Sequence, residues 1–292
     1  MKKSSGSREN ESFIKWNYTI LRASLKKIDL NLIWIILLDT LFYLASGYLI
    51  IFWFQRISAK IQAFSLPPDI SAVSDQAAQR LAGQIADFNL MIKLSFFLLI
   101  VAIIFMASII KGIIWSKSAK ANISLNLISK FFVINLAWMG FWSALLYIIF
   151  TAVQPQLVSV FLLIALILAS YMTFAAYSKF MQKQDFRDFF ASVLFSFRKI
   201  RCLFLPYALT VILWFLIILT SSLLKLDKLI YALAAKLYGI TGIDYSGLAN
   251  QGFSIEFIVL ILVSVFANPL LRLVTAFSRY YFSTLVSETE KR

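Results

Sequence analysis

Apolar runs alternate with short basic stretches along the whole chain. A helix needs about 20 predominantly apolar residues to cross the hydrocarbon core of a bilayer. Six runs are long enough, and the pattern predicts membrane spans at residues 32–54, 94–116, 131–153, 157–178, 204–224 and 253–272. The first run begins too far from Met1 for a cleaved signal peptide, so we interpret it as an uncleaved signal anchor.

The stretch before the fifth span has a different pattern, with apolar residues on only one side of a helix. Its apolar positions step by three and four, as one face of an α-helix does: Phe186, Phe189, Phe190, Val193, Leu194 and Phe197. Arg187, Asp188 and Lys199 fall on the other side. This pattern is typical of a helix in the membrane interface, with its apolar face among acyl chains and its cations at the headgroups.

The same arrangement recurs at two further places. An apolar face precedes the first span at Ile14, Tyr18, Leu21, Leu25 and Ile28. The letters SLKKI at 24–28 resemble SFRKI at 196–200, and SLNLI at 124–128 is a weaker copy before the third span. We therefore predict an all-α integral membrane protein of six transmembrane helices, arranged as three hairpins that each follow a cytoplasmic interfacial amphipathic helix. The predicted interfacial lipid contacts are Lys26, Lys27, Arg198, Lys199 and Arg201.

The positive charges predict the orientation in the membrane. Most of the 28 Lys and Arg residues lie in the N-terminal segment, in the 117–130 and 179–203 connections and near the C-terminus. Because cytoplasmic connections carry the excess of Lys and Arg, we expect a multi-pass protein of the cytoplasmic membrane with both termini in the cytoplasm. Residues 1–10 are expected to be disordered, 11–286 to form a single six-span membrane domain, and 287–292 to form a cytoplasmic tail.

Helical periodicity continues outside the membrane after the first and fifth spans. The long 55–93 connection contains the break SLPPD at 65–69, after which helical spacing leads into the second span without a stop. We predict external helices within 57–92 and 226–238. Two arrangements are open: the external helices pack together as a cap, or they lie flat on the outer leaflet.

Composition narrows the class of protein and the chemistry available to it. Hydrophobic residues make up 61% of the 292-residue chain and charged residues 14%, whereas soluble domains are about 45–50% apolar and about 25% charged. The net charge of +14 fits anionic lipid headgroups better than nucleic acid, because the cations flank apolar runs. The chain has no histidine and one cysteine, Cys202, which excludes Ser-His and Cys-His nucleophile pairs, Cys/His zinc sites and intrachain disulfides. We therefore expect no enzymatic activity, no metal and no cofactor.

Charged and polar residues inside the predicted spans are the candidate functional site, because charges at membrane depth are costly and usually functional. Asp39 in the first span and Lys111 in the second lie at comparable depths. An Asp39–Lys111 or an Asp39–Arg272 ion pair would lower the cost; alternatively, Lys111 reaches the headgroups and Asp39 is protonated or reaches water. Asn268 completes the candidate cluster. Pro269 is expected to kink the last span because it lacks a backbone donor, and we interpret this kink as static rather than as a gate.

Small residues indicate a close contact between the third and fourth spans. Residues that let helix backbones approach closely in lipid are spaced by four on both: Gly140, Ala144, Ala165 and Ala169. Only the short turn at 154–156 separates these spans. We predict a tight hairpin here, the alternative being that the small residues are incidental.

The overall pattern resembles that of a known group of membrane domains. Its features are six spans, a basic amphipathic segment such as FASVLFSFRKI at 190–200, and a last span with proline before paired tyrosines, NPLLRLVTAFSRYY at 268–281. It resembles the six-span membrane domain associated with glycerophosphodiester phosphodiesterases and its uncharacterised stand-alone relatives. The resemblance implies the fold and not the activity, because the soluble catalytic domain of those enzymes has no counterpart here. The elongated external connection departs from the pattern.

Three functions are compatible with the sequence, and we rank them in this order. The first is a non-catalytic scaffold or partner subunit whose basic cytoplasmic face contacts anionic lipids or proteins, including a second copy of the chain. It predicts a closed bundle without a polar path. The alternative is a transporter or permease component with a polar path between spans 1, 2 and 6, in which Asp39, Asn268 and Thr173 would line one cavity. The third, a membrane enzyme, would need clustered carboxylates at one interface.

Overall fold

A computed structural model describes residues 13–63, 75–240 and 255–290 of the chain, and within these ranges all regular structure is helical. This confirms the all-α prediction, while the disordered segment predicted at residues 1–10 lies outside the described residues. In chain order the helices are α1 (Phe13–Leu25), α2 (Asn31–Ala63), α3 (Asp75–Ala119), α4 (Leu125–Ala152), α5 (Pro155–Lys183), α6 (Phe186–Arg198), α7 (Ile200–Leu223), α8 (Leu226–Leu237), α9 (Ile255–Phe266) and α10 (Pro269–Glu290).

Within the described residues, five helices are long and apolar enough to cross a membrane, namely α2, α3, α4, α5 and α7. Helices α9 and α10 pass the same test only as a pair, bent by 56° at the break between them, which gives five spans, or six if the pair is counted as one. The break has a local cause. Pro269 cannot donate to the hydrogen-bond ladder of α9, and the Asn268 side chain accepts a hydrogen bond from the backbone N–H of Leu270 at 2.9 Å. These helices identify a membrane protein.

Helix α3 extends well past the thickness of a bilayer. Helix α3 has 45 residues, or about 67 Å at about 1.5 Å per residue, against a hydrocarbon core of about 30 Å. Of the region 57–92, predicted as an external helix, residues 57–63 are the last turns of α2 and residues 75–92 are the first turns of α3, while residues 64–74 lie outside the described residues. The second predicted external helix, at 226–238, is α8, which packs against α9.

Helix α10 is the central helix of the bundle and packs against α1, α2, α3, α5 and α7. Its sequence is too polar to stand out as a span, yet most of its side chains are buried, including Thr275, Ser278 and Thr284. A polar helix is stable in a membrane only when neighbouring helices shield its polar groups from lipid. The helix continues to Glu290, so residues 287–290 of the predicted tail are helical.

Basic side chains tie the helices together at one end of the bundle, where α1 and α6 also lie. Lys117 Nζ on α3 donates to Asn31 Oδ1 on α2 at 3.2 Å. Lys179 Nζ on α5 lies 3.0 Å from Glu290 Oε1 on α10. We call this end, where α2 and α4 begin and α3, α5 and α10 finish, the basic end.

Two of the three predicted interfacial helices are separate helices, namely α1 and α6. The prediction of a third, before the third span, is wrong, because the segment 124–128 begins α4 itself. Ser124 caps α4 by accepting a hydrogen bond from the backbone N–H of Leu127 at 3.1 Å, and the helix then runs without a break to Ala152. The segment lacks the basic pair that would hold a separate helix at the headgroups.

Helix α1 packs on the bundle with a different side from the one the sequence singled out. Trp16 and Ile20 are buried in the core, where α1 contacts α10. Two members of the predicted apolar face point outward instead, since Tyr18 is 64% exposed and Leu25 is 52% exposed. Helix α1 therefore has apolar residues on two sides, and the side with tryptophan fills the bundle.

Helix α6 divides its predicted apolar face between the bundle and the outside. Phe189 is fully buried and packs edge-on against Trp138, with 5.5 Å between the ring centroids. Its neighbours Phe190, Leu194 and Phe197 are exposed. Exposed apolar residues beside basic ones are the arrangement expected of a helix at a membrane interface.

Helices α4 and α5 form a hairpin that turns at Gln154, with Pro155 as the first residue of α5. The prediction of a close backbone contact at Gly140 is wrong. Gly140 is exposed, and a Cβ built there would have no neighbour within 4 Å. The small residue on α4 thus faces outward and does not hold the two helices together.

A close backbone approach occurs instead at Gly47, between α2 and the layer formed by α8 and α9. A Cβ at this position would lie 2.7 Å from the Tyr238 hydroxyl and would also meet the Val263 side chain. The same hydroxyl donates a hydrogen bond to the Leu44 carbonyl oxygen at 2.8 Å. Burial raises the pKa of Tyr238 to about 12, so this donor stays protonated at neutral pH.

Gly47→Val is expected to lower the unfolding temperature of the detergent-solubilised protein, because overpacking of a closely packed site typically costs about 1–3 kcal/mol. Gly140→Val is the matched control. It makes the same change of residue within a helix, at a position with open space around the new Cβ. Equal effects of the two substitutions would contradict a tight contact of α2 with α8 and α9.

Candidate functional site

Four charged side chains from three helices meet inside the bundle. Asp39 on α2 is fully buried. Its carboxylate is paired with one cation from α3 and two from α10: Lys111, Arg272 and Arg279. Arg279 Nη2 lies 2.7 Å from Asp39 Oδ2 and Arg272 Nη1 lies 3.5 Å from it, while Lys111 Nζ contacts Oδ1. The two ion pairs considered as alternatives from the sequence are present together, and Arg279 adds a third.

The charges of this cluster are unbalanced. Three cations share one carboxylate, which leaves an excess of two positive charges, and no other carboxylate is paired with them in the described part of the chain. Arg272 is 3% exposed and Arg279 is 4% exposed. Burial of an ion costs several kcal/mol unless a counter-charge and hydrogen bonds compensate. Charges at membrane depth that carry this cost usually mark a binding site or a pathway.

Aromatic rings hold the three cations in place. Lys111 Nζ and Arg272 Cζ each lie 4.6 Å from the ring centroid of Tyr43. Arg279 Cζ lies 5.7 Å from a ring of Trp115. Cation–π attraction of about 0.5–2 kcal/mol for each contact lowers the cost of burial without neutralising the charge. The cluster therefore stays electropositive.

A cavity of about 460 Å³ lies beside the cluster. Lys111, Arg272 and Arg279 form part of its wall, and the rest of the wall is mainly apolar and comes from α2, α3, α4, α5, α7, α9 and α10. The volume is in the range of about 300–1,000 Å³ that is typical of ligand pockets. The cations are thus positioned to contact a bound molecule, while Asp39 contacts the cations.

Several neutral polar groups of the wall already have partners within the protein. Tyr177 donates to Asn135 Oδ1, and the Asn135 amide donates to Ser108 Oγ at 2.9 Å. Thr173 Oγ1 accepts from Trp138 Nε1 at 2.9 Å. These hydroxyl and amide groups fix the wall, and their hydrogen-bonding capacity is largely used.

Three buried nitrogen atoms of the wall have no hydrogen-bond partner within the described residues: Arg272 Nε, Arg279 Nη1 and Trp214 Nε1. All three are donors. A buried donor without an acceptor costs about 1–3 kcal/mol, and more when it is charged. The cavity therefore combines positive charge with unused donors, and an anionic acceptor is the ligand chemistry that satisfies both.

Asn268 and Pro269, two other predicted site residues, serve the bend between α9 and α10. Asn268 is buried, and its amide donates to Ser221 Oγ on α7 at 2.7 Å. Its carbonyl oxygen accepts from the backbone of Leu270, and none of these hydrogen bonds reaches Asp39. Asn268 is therefore separate from the ion cluster with which the sequence grouped it.

The predicted lipid contacts lie where α1 and α6 join the helices that follow them. Lys26, Arg198 and Arg201 are exposed. Lys27 is also exposed, but its Nζ donates to Thr284 Oγ1 on α10 at 3.0 Å. The last member of the group, Lys199, is the half-buried residue between α6 and α7. Lys26, Arg198 and Arg201 are thus exposed to the surroundings, and Lys27 stabilises the central helix.

Sequence reasoning missed Arg279 as a member of the site, together with the aromatic residues around it. One signal was available, because Arg272 and Arg279 are seven residues apart and share a helix face. No such signal identified Tyr43, Trp115 or Trp214, which have the composition of ordinary core residues.

No known protein family, curated protein or solved structure matches the chain. The resemblance to the six-span membrane domain of the phosphodiesterase group therefore stays a prediction. The function must be inferred from the chemistry of the site itself.

Proposed function

We propose that the protein is a transporter or permease component that binds an anionic substrate in the cavity, the second of the functions considered from the sequence. The observation that carries this proposal is that two buried arginines and the half-buried Lys111 share one carboxylate in or beside the cavity wall. An anion at Arg272 and Arg279 would compensate the excess charge and accept from the unused donors.

The break between α9 and α10 supports the same proposal. Many transporters place the N-terminus of a discontinuous helix at an anionic substrate group, because the positive end of the helix dipole lies there. The first turns of α10 contribute Leu271, Arg272 and Thr275 to the cavity wall. The bend thus brings the dipole of α10 and the guanidinium of Arg272 to the same cavity.

The cavity and its unbalanced charge favour a transporter over a scaffold. A scaffold needs only a closed bundle, and it gives no reason for unbalanced charge at membrane depth. Thr173 borders the cavity, as the transporter hypothesis expected, whereas Asp39 acts through its three partners and Asn268 serves the bend. These observations favour a substrate-binding membrane protein over a scaffold, and we propose no catalytic role.

For this function we propose six spans in the cytoplasmic membrane, as the hairpins α2–α3 and α4–α5 and a third formed by α7 with α9–α10. Both termini and the basic end would lie in the cytoplasm, because the connections on that side hold most of the Lys and Arg. Exposed cations such as Arg198 and Arg201 would then contact anionic headgroups. A protein partner or a second copy of the chain would bind outside the cavity.

Labelling of single cysteines tests whether the cavity connects to water, as a transport pathway requires. In a Cys202→Ser background, Ala107→Cys and Ala169→Cys place thiols in the cavity wall. We expect a charged, membrane-impermeant thiol reagent to modify both in intact membranes from at least one side, because a pathway for an anion must be hydrated.

Ala102→Cys is the matched control, because Ala102 lies on α3 but is exposed on the outside of the bundle and is not part of the cavity wall. It should react with a membrane-permeant maleimide and not with the charged reagent. Modification of all three cysteines by the permeant reagent alone would contradict a water-connected pathway and, with it, the proposed function.

A further inference from the structure

The geometry of the cavity narrows the class of anion, on the premise of the proposed function. The charged ends of the three cations meet at Asp39. Asp39 is eight residues from the start of α2 and Lys111 is eight residues from the end of α3, so both are about 12 Å from the basic end at about 1.5 Å per residue. On the same count Arg279 is about 16 Å and Arg272 about 27 Å from the end of α10, and both side chains reach the Asp39 carboxylate. The cationic site therefore extends from the upper acyl region of one leaflet toward the middle of the bilayer.

The apolar part of the cavity wall reaches the outside of the bundle. Four apolar wall residues are substantially exposed, from 40% to 62%: Met139, Leu166, Ile218 and Phe266. On the same count of residues, the first three are about 21–27 Å from the basic end. They lie on the outer sides of membrane-spanning helices, where the surroundings are acyl chains. The cavity therefore opens sideways into the hydrocarbon near the middle of the bilayer.

A cationic site beside an apolar, lipid-facing wall matches a lipid that enters from the side. Such a lipid places an anionic headgroup at the cations and leaves its acyl chains at the apolar wall. Lys111 lies nearer the basic end than Leu166, whereas the backbone of Arg272 lies at about the depth of the opening. A free anion would use the cations, but it would not need an opening to the hydrocarbon.

The excess of two positive charges selects among lipid headgroups. A phosphomonoester carries about −1.5 to −2 charges at pH 7 and offers three acceptor oxygens. Three residues of the cavity wall have a donor without a partner, and two of them are arginines, whose planar geometry suits phosphate oxygens. A zwitterionic headgroup would leave the excess charge uncompensated.

We propose that the site binds the phosphomonoester headgroup of a lipid that enters from the bilayer. The headgroup lies among Lys111, Arg272 and Arg279, and the acyl chain leaves through the opening beside Leu166. In the proposed transporter, such a lipid is the substrate. The net charge of the occupied site is then close to zero, which removes the burial cost of the unbalanced cations.

Thermal unfolding of the full-length protein in a neutral maltoside detergent tests this proposal with three probes: dioctanoyl phosphatidic acid, dioctanoyl phosphatidylcholine and inorganic phosphate. We expect the phosphatidic acid to raise the unfolding temperature in a concentration-dependent manner, because a ligand that binds only the folded state stabilises it. The other two probes should have little effect at the same concentrations.

Three variants test whether phosphatidic acid binds in the cavity. Arg279→Gln should weaken the effect of phosphatidic acid by about ten-fold or more, the usual loss for a charge-assisted hydrogen bond. Arg187→Gln, the same substitution at an exposed position of α6, should leave it unchanged. Ala169→Phe keeps all three cations and fills the apolar part of the cavity, so it should also weaken the lipid effect.

The outcomes separate this proposal from the proposed function. Equal stabilisation by phosphatidylcholine, or an unchanged response of Arg279→Gln, would overturn the phosphomonoester site. Equal stabilisation by inorganic phosphate would overturn the lipid source and leave an anion transporter. If no probe binds while Ala107→Cys and Ala169→Cys react with the charged reagent, the lipid is wrong and the pathway stands.

Discussion

Asp39→Asn is expected to lower the free energy of unfolding by about 3–5 kcal/mol, because it removes the shared counter-charge of two buried arginines and the half-buried Lys111. A loss of this size is a large fraction of the stability of most folded proteins. Lys111, Arg272 and Arg279 would then repel one another in a medium of low dielectric constant. Thermal unfolding in detergent, followed by loss of the monodisperse peak in size-exclusion chromatography, measures the effect.

Two further variants test whether the loss of stability in Asp39→Asn comes from the ion cluster. Asp87→Asn makes the same substitution at an exposed position of α3 and should change the stability by less than about 0.5 kcal/mol. The double variant Asp39→Asn/Arg279→Gln should lose less stability than the sum of the single variants, with a coupling energy of about 0.5–3 kcal/mol. If Asp39→Asn is as stable as the original protein, then Asp39 is protonated or hydrated and the ion cluster is not formed.

Arg272→Met is expected to raise the free energy of unfolding of the ligand-free protein, whereas Asp39→Asn lowers it. The gain is expected to be at most about 1–4 kcal/mol, the range found when a whole buried ion pair or triad is replaced by apolar residues of similar volume. Asp39 keeps Lys111 and Arg279 as partners, so the carboxylate is not left alone. The variant also removes a buried Nε that has no hydrogen-bond partner. The unfolding temperature without ligand measures the change.

Arg187→Met is the control for Arg272→Met, because it removes a guanidinium from an exposed position of α6. Its effect should stay within about 0.5 kcal/mol. A destabilisation of several kcal/mol by Arg272→Met would assign Arg272 to the structural core of the ion cluster. A gain in stability, by contrast, is the expected behaviour of a residue retained for binding at the expense of stability.

The hydrophobic pattern was sufficient to predict the helices that face lipid. Uniformly apolar runs marked α2 through α5 and α7, because the bilayer imposes the same requirement on every residue of an exposed span. The pattern failed for α10, which the sequence divided between a span that ended at Arg272 and the chain beyond it. Its polar residues are shielded by neighbouring helices, and that shielding is a property of the packing.

The candidate site was predictable in part for a related reason. Asp39 and Lys111 lie in recognisable spans, so counting residues from the span ends placed them at similar depths. The same count could not bring in Arg279, because its helix was not recognised as central. The cavity depends on which side chains face one another across α5, α7 and α10, and the sequence alone does not give that arrangement. The sequence analysis grouped Asn268 with Asp39 because of its depth, but the Asn268 amide donates its hydrogen bond to Ser221.

The central claim is that the unbalanced cations of the cavity are a binding site for an anionic lipid headgroup. Its most direct test is the dissociation constant of dioctanoyl phosphatidic acid for the original protein and for Arg272→Met, measured at one ionic strength. We predict binding to the variant that is weaker by about ten-fold or more, or about 1.4 kcal/mol, from a protein that unfolds at the same or a higher temperature. Equal dissociation constants for the two proteins would contradict the claim.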